Sequence, residues 1–388
     1  KALVDSEKIL TSLTHNGYKI NKDHRNADLV IVNTCGFIDS AKEESINTIS
    51  SALNENGKVI ITGCLGKDEE TVKRFNGKVL SISGPSEINK VLRTVQKSFP
   101  KQKKPIRNFL SPIGIKLTPK HYSYLKISEG CNHKCKFCII PNLRGKLKSN
   151  KIDDILYEAK SLVANGTREL LVISQDTSAF GIDFIKSGVK EKTNIIQLCN
   201  LLGDLGIWIR LHYLYPYPHV TKIIPLMADN KILPYLDIPF QHSHPDVLKR
   251  MQRPARKDNS TKLIEEWRKI EPKLTIRSTF IVGYPGETED EFQHLLDWLE
   301  EVKLDRVGCF KYENVKGARA NHLPDHLCDD IKEDRWNRFM IKAQEISRKK
   351  LLQKIGTFEE VIIDEVDEEG AICRTKGDAP QIDGNLFI

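Results

Sequence analysis

Residues 122–138 are YSYLKISEGCNHKCKFC, a strand-like segment followed at once by three cysteines within eight residues. Three thiols at this spacing indicate a metal site, because thiolates bind both zinc and iron–sulfur clusters. A structural zinc site closes with four ligands, and His133 could supply the fourth. In a 4Fe-4S cluster, Cys131, Cys135 and Cys138 would bind three irons and leave one iron open to an outside ligand. The spacing favours the cluster, because a cluster needs no fourth protein ligand here.

The same stretch begins a series of six strand-like segments that alternate with helical stretches. The segments are residues 122–127, 169–174, 207–214, 234–240, 274–282 and 306–312. This alternation predicts an α/β protein whose central part is a partial, TIM-like (β/α)6 barrel. In such barrels the chemistry lies at the carboxyl ends of the strands. The three cysteines directly follow the first strand, so we expect them at the functional end.

Both flanks of the barrel have patterns of their own. Upstream, apolar strands at 28–33 and 58–62 alternate with helical stretches, which predicts an open parallel βαβ sheet. Segment 98–120 is basic and contains four prolines, as expected of an interdomain linker. After a long polar helix predicted over 329–354, the last residues alternate as strands do, but they are too few for a complete five-stranded barrel.

Composition restricts the class of protein. The 388 residues carry a net charge of +8 and are 39% hydrophobic, as in a globular protein of roughly two to three domains. No apolar run approaches the roughly 18 residues of a membrane helix, so we expect no membrane association. The charge is spread too widely to indicate a nucleic-acid partner. Nine cysteines, an odd number unevenly spread, suggest intracellular thiols and a cytoplasmic location.

Two further cysteines share a local context. Cys35 and Cys64 each follow an apolar strand of the predicted parallel sheet, at the edge where such sheets bind ligands. We therefore expect both thiols to face one crevice. Buried, inert thiols are the alternative, because cysteine is among the most buried residue types. The other cysteines have no ligand spacing and are expected to be structural or free: Cys199, Cys309, Cys328 and Cys373.

The motif C-x3-C-x-Phe137-C, placed after the first strand of a partial barrel, resembles the radical S-adenosylmethionine (SAM) superfamily. The resemblance implies that Cys131, Cys135 and Cys138 bind a 4Fe-4S cluster, which cleaves SAM to a 5′-deoxyadenosyl radical. Such a radical attacks unactivated C–H bonds. The resemblance also places Phe137 beside the cofactor.

Together with Cys35 and Cys64, the motif resembles the methylthiotransferases, whose N-terminal domain holds a second 4Fe-4S cluster through three cysteines. The first of these cysteines is expected two residues before Lys1, so this sequence supplies two of the three ligands. The resemblance implies four segments. They are an N-terminal methylthiotransferase domain (1–97), a linker (98–120), a radical SAM domain (121–355) and a partial TRAM domain (356–388).

Some stretches resemble one branch of that family, which modifies an aspartate of ribosomal protein twelve of the small subunit. They are residues 32–45, 138–146, 210–216 and 237–242. The implied reaction adds a methylthio group to the β-carbon of that aspartate, in the free protein or on the ribosome. It requires an external electron donor and a sulfur donor. Methylthiolation of a modified adenosine in transfer RNA is one alternative, and a zinc-stabilised nucleic-acid-binding protein without catalysis is another.

Three more residues are predicted to contact a cofactor. Gln175, beside Asp176, follows the second strand, and Arg210 lies inside the third. Gly283 ends the fifth strand in a segment that borders the adenosine in the superfamily. Structural hydrogen bonds at Gln175 and Arg210, and a plain strand-to-helix turn at Gly283, are the alternatives.

Overall fold

The computed structural model describes residues 1–100, 114–186, 193–253 and 260–388. Its N-terminal part is a parallel sheet of three strands, β1 (Val30–Thr34), β2 (Val59–Gly63) and β3 (Ser81–Ile82). The helices are α1 (Ala2–His15), α2 (Asp39–Glu55), α3 (Glu69–Phe75) and α4 (Ile88–Ser98). A parallel sheet needs both faces covered, and successive residues of β2 point to opposite faces. Val59 and Ile61 pack in a core with α2 and α3, whereas Ile60 packs with α1 and α4. The predicted open parallel sheet is confirmed.

The central part is a parallel sheet of six strands whose spatial order follows the chain. Its strands are β4 (Tyr122–Lys126), β7 (Glu169–Ile173), β8 (Trp208–Leu211), β9 (Tyr235–Asp237), β10 (Thr275–Val282) and β11 (Arg306–Lys311), and a small antiparallel ribbon, β5 (Ser128–Glu129) with β6 (Lys148–Ser149), follows β4. In the described part of the chain β4 and β11 are edges that do not pair, so the barrel is open. The predicted partial (β/α)6 barrel is confirmed.

Helices surround this barrel. They are α5 (Ile140–Arg144), α6 (Ile152–Ala164), α7 (Ile182–Lys186), α8 (Ile195–Gly203), α9 (Ile224–Ala228), α10 (Pro245–Met251), α11 (Ser260–Ile270), α12 (Glu289–Val302) and α13 (Asp329–Leu352). The largest apolar core lies between strands and helices; Leu170 and Val172, for example, pack in it with Leu198. Helix α12 begins with a capping box, in which Thr288 and Glu291 each accept a hydrogen bond from the backbone N–H of the other. No described helix is both long and apolar enough to cross a membrane.

The C-terminal part is an antiparallel sheet of three strands, β12 (Val361–Val366), β13 (Ala371–Thr375) and β14 (Leu386–Phe387). It packs against the amino ends of the barrel strands. Arg374 forms an ion pair with Glu169, the first residue of β7, at 2.7 Å. The Tyr235 hydroxyl, at the start of β9, donates a hydrogen bond to Asp383 at 2.6 Å. The C-terminal sheet and the cysteine loop therefore lie at opposite ends of the barrel.

The predicted linker 98–120 falls largely outside the described residues. Its described end packs against α1, where the Ile115 backbone N–H donates to the Thr11 hydroxyl at 2.9 Å. The Leu117 backbone N–H likewise donates to the Glu7 carboxylate at 2.8 Å. These contacts attach residues 114–117 to the N-terminal part.

Candidate functional site

The cysteine loop is fixed by backbone contacts at the carboxyl end of β4. The Cys131 backbone N–H donates to the carbonyl of Gly145 at 3.0 Å, and that of Lys136 donates to Met251 at 3.0 Å. Gly130 precedes the loop with φ at +78°, and a Cβ there would lie 2.1 Å from the carbonyl oxygen of Lys146. Only glycine fits this turn, which directs the chain into the loop.

The three thiols line one cavity of about 260 Å³. Other residues that line it are Phe37, Phe137, Gln175, Tyr213, Tyr215 and Arg253. The structure thus brings Phe137 and Gln175 together with the cysteines. Gln175 donates a hydrogen bond to Glu129 at 2.7 Å, while its own carbonyl oxygen is buried without a hydrogen-bond partner in the described residues. That acceptor is available to a ligand with an N–H or O–H group.

The three thiols are shielded from solvent at the wall of the cavity. Cys131 and Cys135 are buried, and Cys138 is half-buried. Burial raises the pKa of Cys131 to about 11 and that of Cys138 to about 12. Thiolates at these positions therefore need compensating positive charge, such as a bound metal supplies.

His133 does not act as a fourth ligand in this arrangement. Its Nε2 lies 2.7 Å from a carboxylate oxygen of Asp176 and 3.0 Å from the Tyr217 hydroxyl. The imidazole also stacks on Tyr215, with ring centroids 3.6 Å apart. The side chain is therefore turned toward the ends of β7 and β8, which disfavours the zinc alternative.

Arg253 is a site residue that the sequence analysis missed. It is buried, and its guanidinium donates to the Cys135 sulfur at 3.8 Å and to the carbonyl of Pro239. The guanidinium also lies over the Tyr215 ring, 4.1 Å from the centroid. No carboxylate pairs with it among the described residues, so it places positive charge beside the thiols.

The two N-terminal cysteines do not line this cavity themselves, but neighbouring residues do. Cys64 is buried and Cys35 is exposed, and a Cβ on Gly36 would be 3.6 Å from that of Cys64. Burial raises the pKa of Cys64, and the nearby Arg144 guanidinium partly offsets this effect. Phe37, two residues after Cys35, lines the cavity of the barrel cysteines. The segment that follows Cys35 therefore reaches the cavity of the barrel cysteines.

A charged network connects the N-terminal part to this region. Arg144, which lines the cavity, lies 3.0 Å from Glu129 and 3.4 Å from Asp5 of α1. Lys126 at the end of β4 pairs with the same two carboxylates, at 2.8 Å from Glu129. These buried pairs hold α1 against the carboxyl end of the barrel.

Two residues that the sequence predicts to contact a cofactor make other contacts in the structure. The Arg210 guanidinium donates to Glu169 at 2.7 Å and to the carbonyl of Lys376 at 2.8 Å, so it points to the amino end of the barrel. Gly283 does not line the cavity, and its backbone N–H donates to the buried Glu287 at 2.6 Å. Arg210 therefore joins the C-terminal sheet to the barrel, and Gly283 belongs to the turn before α12.

Comparison with known proteins gave matches along the chain. The model of the radical SAM superfamily matches residues 125–299, that of the uncharacterized protein family UPF0004 matches 1–83, and that of the TRAM domain matches 355–388. A ribosomal protein uS12 methylthiotransferase RimO of Roseobacter denitrificans is 60% identical over 389 residues, covering 100% of this chain and 85% of that protein. The protein of the same description from Paracoccus denitrificans is 60% identical over 394 residues, with the same coverage.

A solved structure supports the fold alone. It is the radical SAM methyltransferase TsrM from Kitasatospora setae with cobalamin and a 4Fe-4S cluster bound. Its identity is 13% and its TM-score 0.55, over 80% of this chain and 71% of that one.

Proposed function

We propose a function from the family to which this chain belongs, the ribosomal protein uS12 methylthiotransferases RimO. The protein adds a methylthio group to ribosomal protein uS12. The observation that carries the proposal is 60% identity over 389 residues, which include the whole chain. The chain is accordingly a transferase of the radical SAM type. We assign the acceptor as the β-carbon of one aspartate, as the sequence motifs predict.

The radical SAM family uses a 4Fe-4S cluster and SAM, and we propose that Cys131, Cys135 and Cys138 hold that cluster. When bound, cluster and cofactor supply the one-electron chemistry that breaks an unactivated C–H bond. The position of the three thiols around one cavity at the end of β4 supports this assignment. We further assign Phe137 and Gln175 to cofactor contact, because both line the cavity and Gln175 offers a buried acceptor.

We propose that Cys35 and Cys64 supply two ligands of a second 4Fe-4S cluster. Their support is the closeness of Cys64 to Gly36 and the position of Phe37 in the cavity of the barrel cysteines. Arg144 lines the cavity of the barrel cysteines, and its positive charge also acts on Cys64. Anaerobic iron and sulfide analysis checks this assignment. The double variant Cys35→Ala/Cys64→Ala is expected to hold half the iron of a chain that contains both clusters.

The remaining parts of the proposal follow from the reaction. Reduction requires an external electron donor, and the methylthio group requires a sulfur donor. A ribosomal substrate, free or on the ribosome, places the protein in the cytoplasm. We propose domain boundaries at 1–97, 98–120, 121–355 and 356–388, which accord with the matches of the three family models.

The test incubates the anaerobically reconstituted protein with SAM, reductant and purified uS12, in parallel with transfer RNA that carries the modified adenosine but no methylthio group. We expect a mass increase of one methylthio group on one aspartate of uS12 and none on adenosine. A Cys131→Ala variant is the matched control and should give no product. Methylthiolated adenosine with unmodified uS12 would overturn the proposed substrate. Stoichiometric zinc without sulfide in the wild type would overturn the radical chemistry.

A further inference from the structure

We propose that Asp176 is a positioning residue, which holds the cysteine loop in its ligand-binding conformation by anchoring His133. The inference rests on the proposed function, because the loop concerned is the one assigned to the cluster. His133 lies between Cys131 and Cys135 in the loop, and its imidazole contacts Asp176, Tyr217 and Tyr215. Its contacts explain what it does.

The contacts of His133 attach the middle of the loop to the barrel. The imidazole Nε2 is 2.7 Å from Asp176 and 3.0 Å from the Tyr217 hydroxyl. The ring lies nearly parallel to that of Tyr215, at an interplanar angle of 14°. The His133 backbone N–H donates to the Cys131 sulfur at 3.4 Å. One residue thus connects a ligand sulfur to the segments after β7 and β8.

Asp176 is itself held rigidly, which makes it a suitable anchor. Its side chain is 3% exposed, and it caps the short helical turn Thr177–Ala179. One carboxylate oxygen accepts from the Ser178 hydroxyl at 2.7 Å and from the Ala179 backbone N–H at 3.2 Å. The other oxygen is the one that faces His133. One oxygen therefore holds the Asp176 side chain in place, and the other holds the cysteine loop through His133.

The anchor matters because the loop between β5 and α5 contains no strand or helix. An unanchored loop samples many conformations, and few of them present three thiols to one cluster. Partners just outside a metal site typically change metal affinity by about 10–100-fold when removed, because they orient the ligands. We therefore expect loss of the Asp176–His133 contact to loosen the loop and to weaken cluster retention.

Two variants remove this contact from its two sides. Asp176→Ser keeps a hydroxyl that can cap the helical turn but is too short to reach His133. His133→Phe keeps a ring to stack on Tyr215 but has no Nε2. His121→Phe is the matched control, because His121 makes the same kind of 2.7 Å contact with Asp364 at the opposite end of the barrel.

The first measurement is hydrogen–deuterium exchange of residues 131–138 in the apo-protein, and the second is the rate of iron loss to a chelator after reconstitution. We expect each single variant to accelerate iron loss about tenfold and to raise exchange in the loop. The double variant should lose iron no faster than His133→Phe alone, because His133→Phe already removes the contact with Asp176. His121→Phe should leave both measurements unchanged.

Wild-type exchange and iron retention in both single variants would overturn the inference, as would effects that multiply in the double variant. The proposed function fails in a different way. If the wild type takes up no iron and sulfide while the variants still raise loop exchange, the anchor stands and the cluster assignment falls.

Discussion

Replacing Glu169 by glutamine should destabilise the protein strongly, because this carboxylate joins two buried guanidinium groups. Its side chain is fully buried, and Arg210 and Arg374 are 0% and 1% exposed. Each arginine lies 2.7 Å from Glu169, through Nε of Arg210 and Nη2 of Arg374. Removing one partner of a buried ion pair costs about 3–5 kcal/mol, because the remaining charge is left without compensation.

Arg210 is the group that loses most in Glu169→Gln. Arg374 keeps an ion pair with Asp364, whereas Arg210 keeps only the carbonyl of Lys376 and the face of the Tyr235 ring. We therefore place the loss of unfolding free energy near the lower end of that range, at about 3 kcal/mol. The assay is urea denaturation of the intact protein, followed by tryptophan fluorescence.

Glu333→Gln is the matched control for this experiment. Glu333 pairs with Lys311, but the two side chains are 50% and 46% exposed. Such a surface pair contributes at most about 1 kcal/mol. A loss in Glu169→Gln that does not exceed the loss in Glu333→Gln would refute the reasoning, since the buried network would then carry no more free energy than solvated charges do.

Three further predictions concern the cysteine loop and the C-terminal sheet. Arg253→Met removes a guanidinium from beside Cys135 and should leave the cluster in place with a lower reduction potential, as measured by anaerobic titration; an unchanged potential would contradict it. Burial acts to raise the pKa of Asp364, but the hydrogen bonds and charges of Arg374 and His121 together outweigh it, and the net pKa is lowered from 3.8. Its contribution to stability is therefore present above pH 3.8 and is lost as the pH falls through the lower folded value, so Asp364→Asn should flatten the decline of Tm in acid. Gly130→Ala should lower the unfolding free energy by about 1–3 kcal/mol and weaken cluster binding, because the φ of this residue is +78°. Wild-type iron content and a wild-type urea midpoint would show that the turn tolerates a side chain.

Much of the architecture could be predicted from the sequence, because local patterns determine it. The six barrel strands alternate with helices, so their order in the sheet follows from chain order and the handedness of parallel connections. The position of Cys131 after β4 follows from its place in the sequence, and so does its location at the carboxyl end of the barrel. The grouping of Phe137 and Gln175 with the thiols has the same origin.

The contacts of long side chains could not be predicted in this way. Arg210 lies on a short central strand, and its guanidinium can reach either end of the barrel. The partner that decides toward which end the guanidinium points is the Lys376 carbonyl, which lies far along the chain. Arg253 follows α10 in no recognisable motif, and only its burial in the fold brings it to Cys135. Gly283 looks the same in sequence whether its N–H meets a ligand or the carboxylate of Glu287.

The placement of the C-terminal sheet at the amino ends of the barrel strands sets a minimum reach for any partner that touches both ends. Strand β10 has eight residues and so spans about 26 Å at about 3.3 Å per residue. A short peptide centred on the acceptor residue therefore engages the thiol cavity alone. A substrate that contacts the C-terminal sheet while its acceptor residue lies in the thiol cavity must therefore extend about 26 Å along the outside of the barrel.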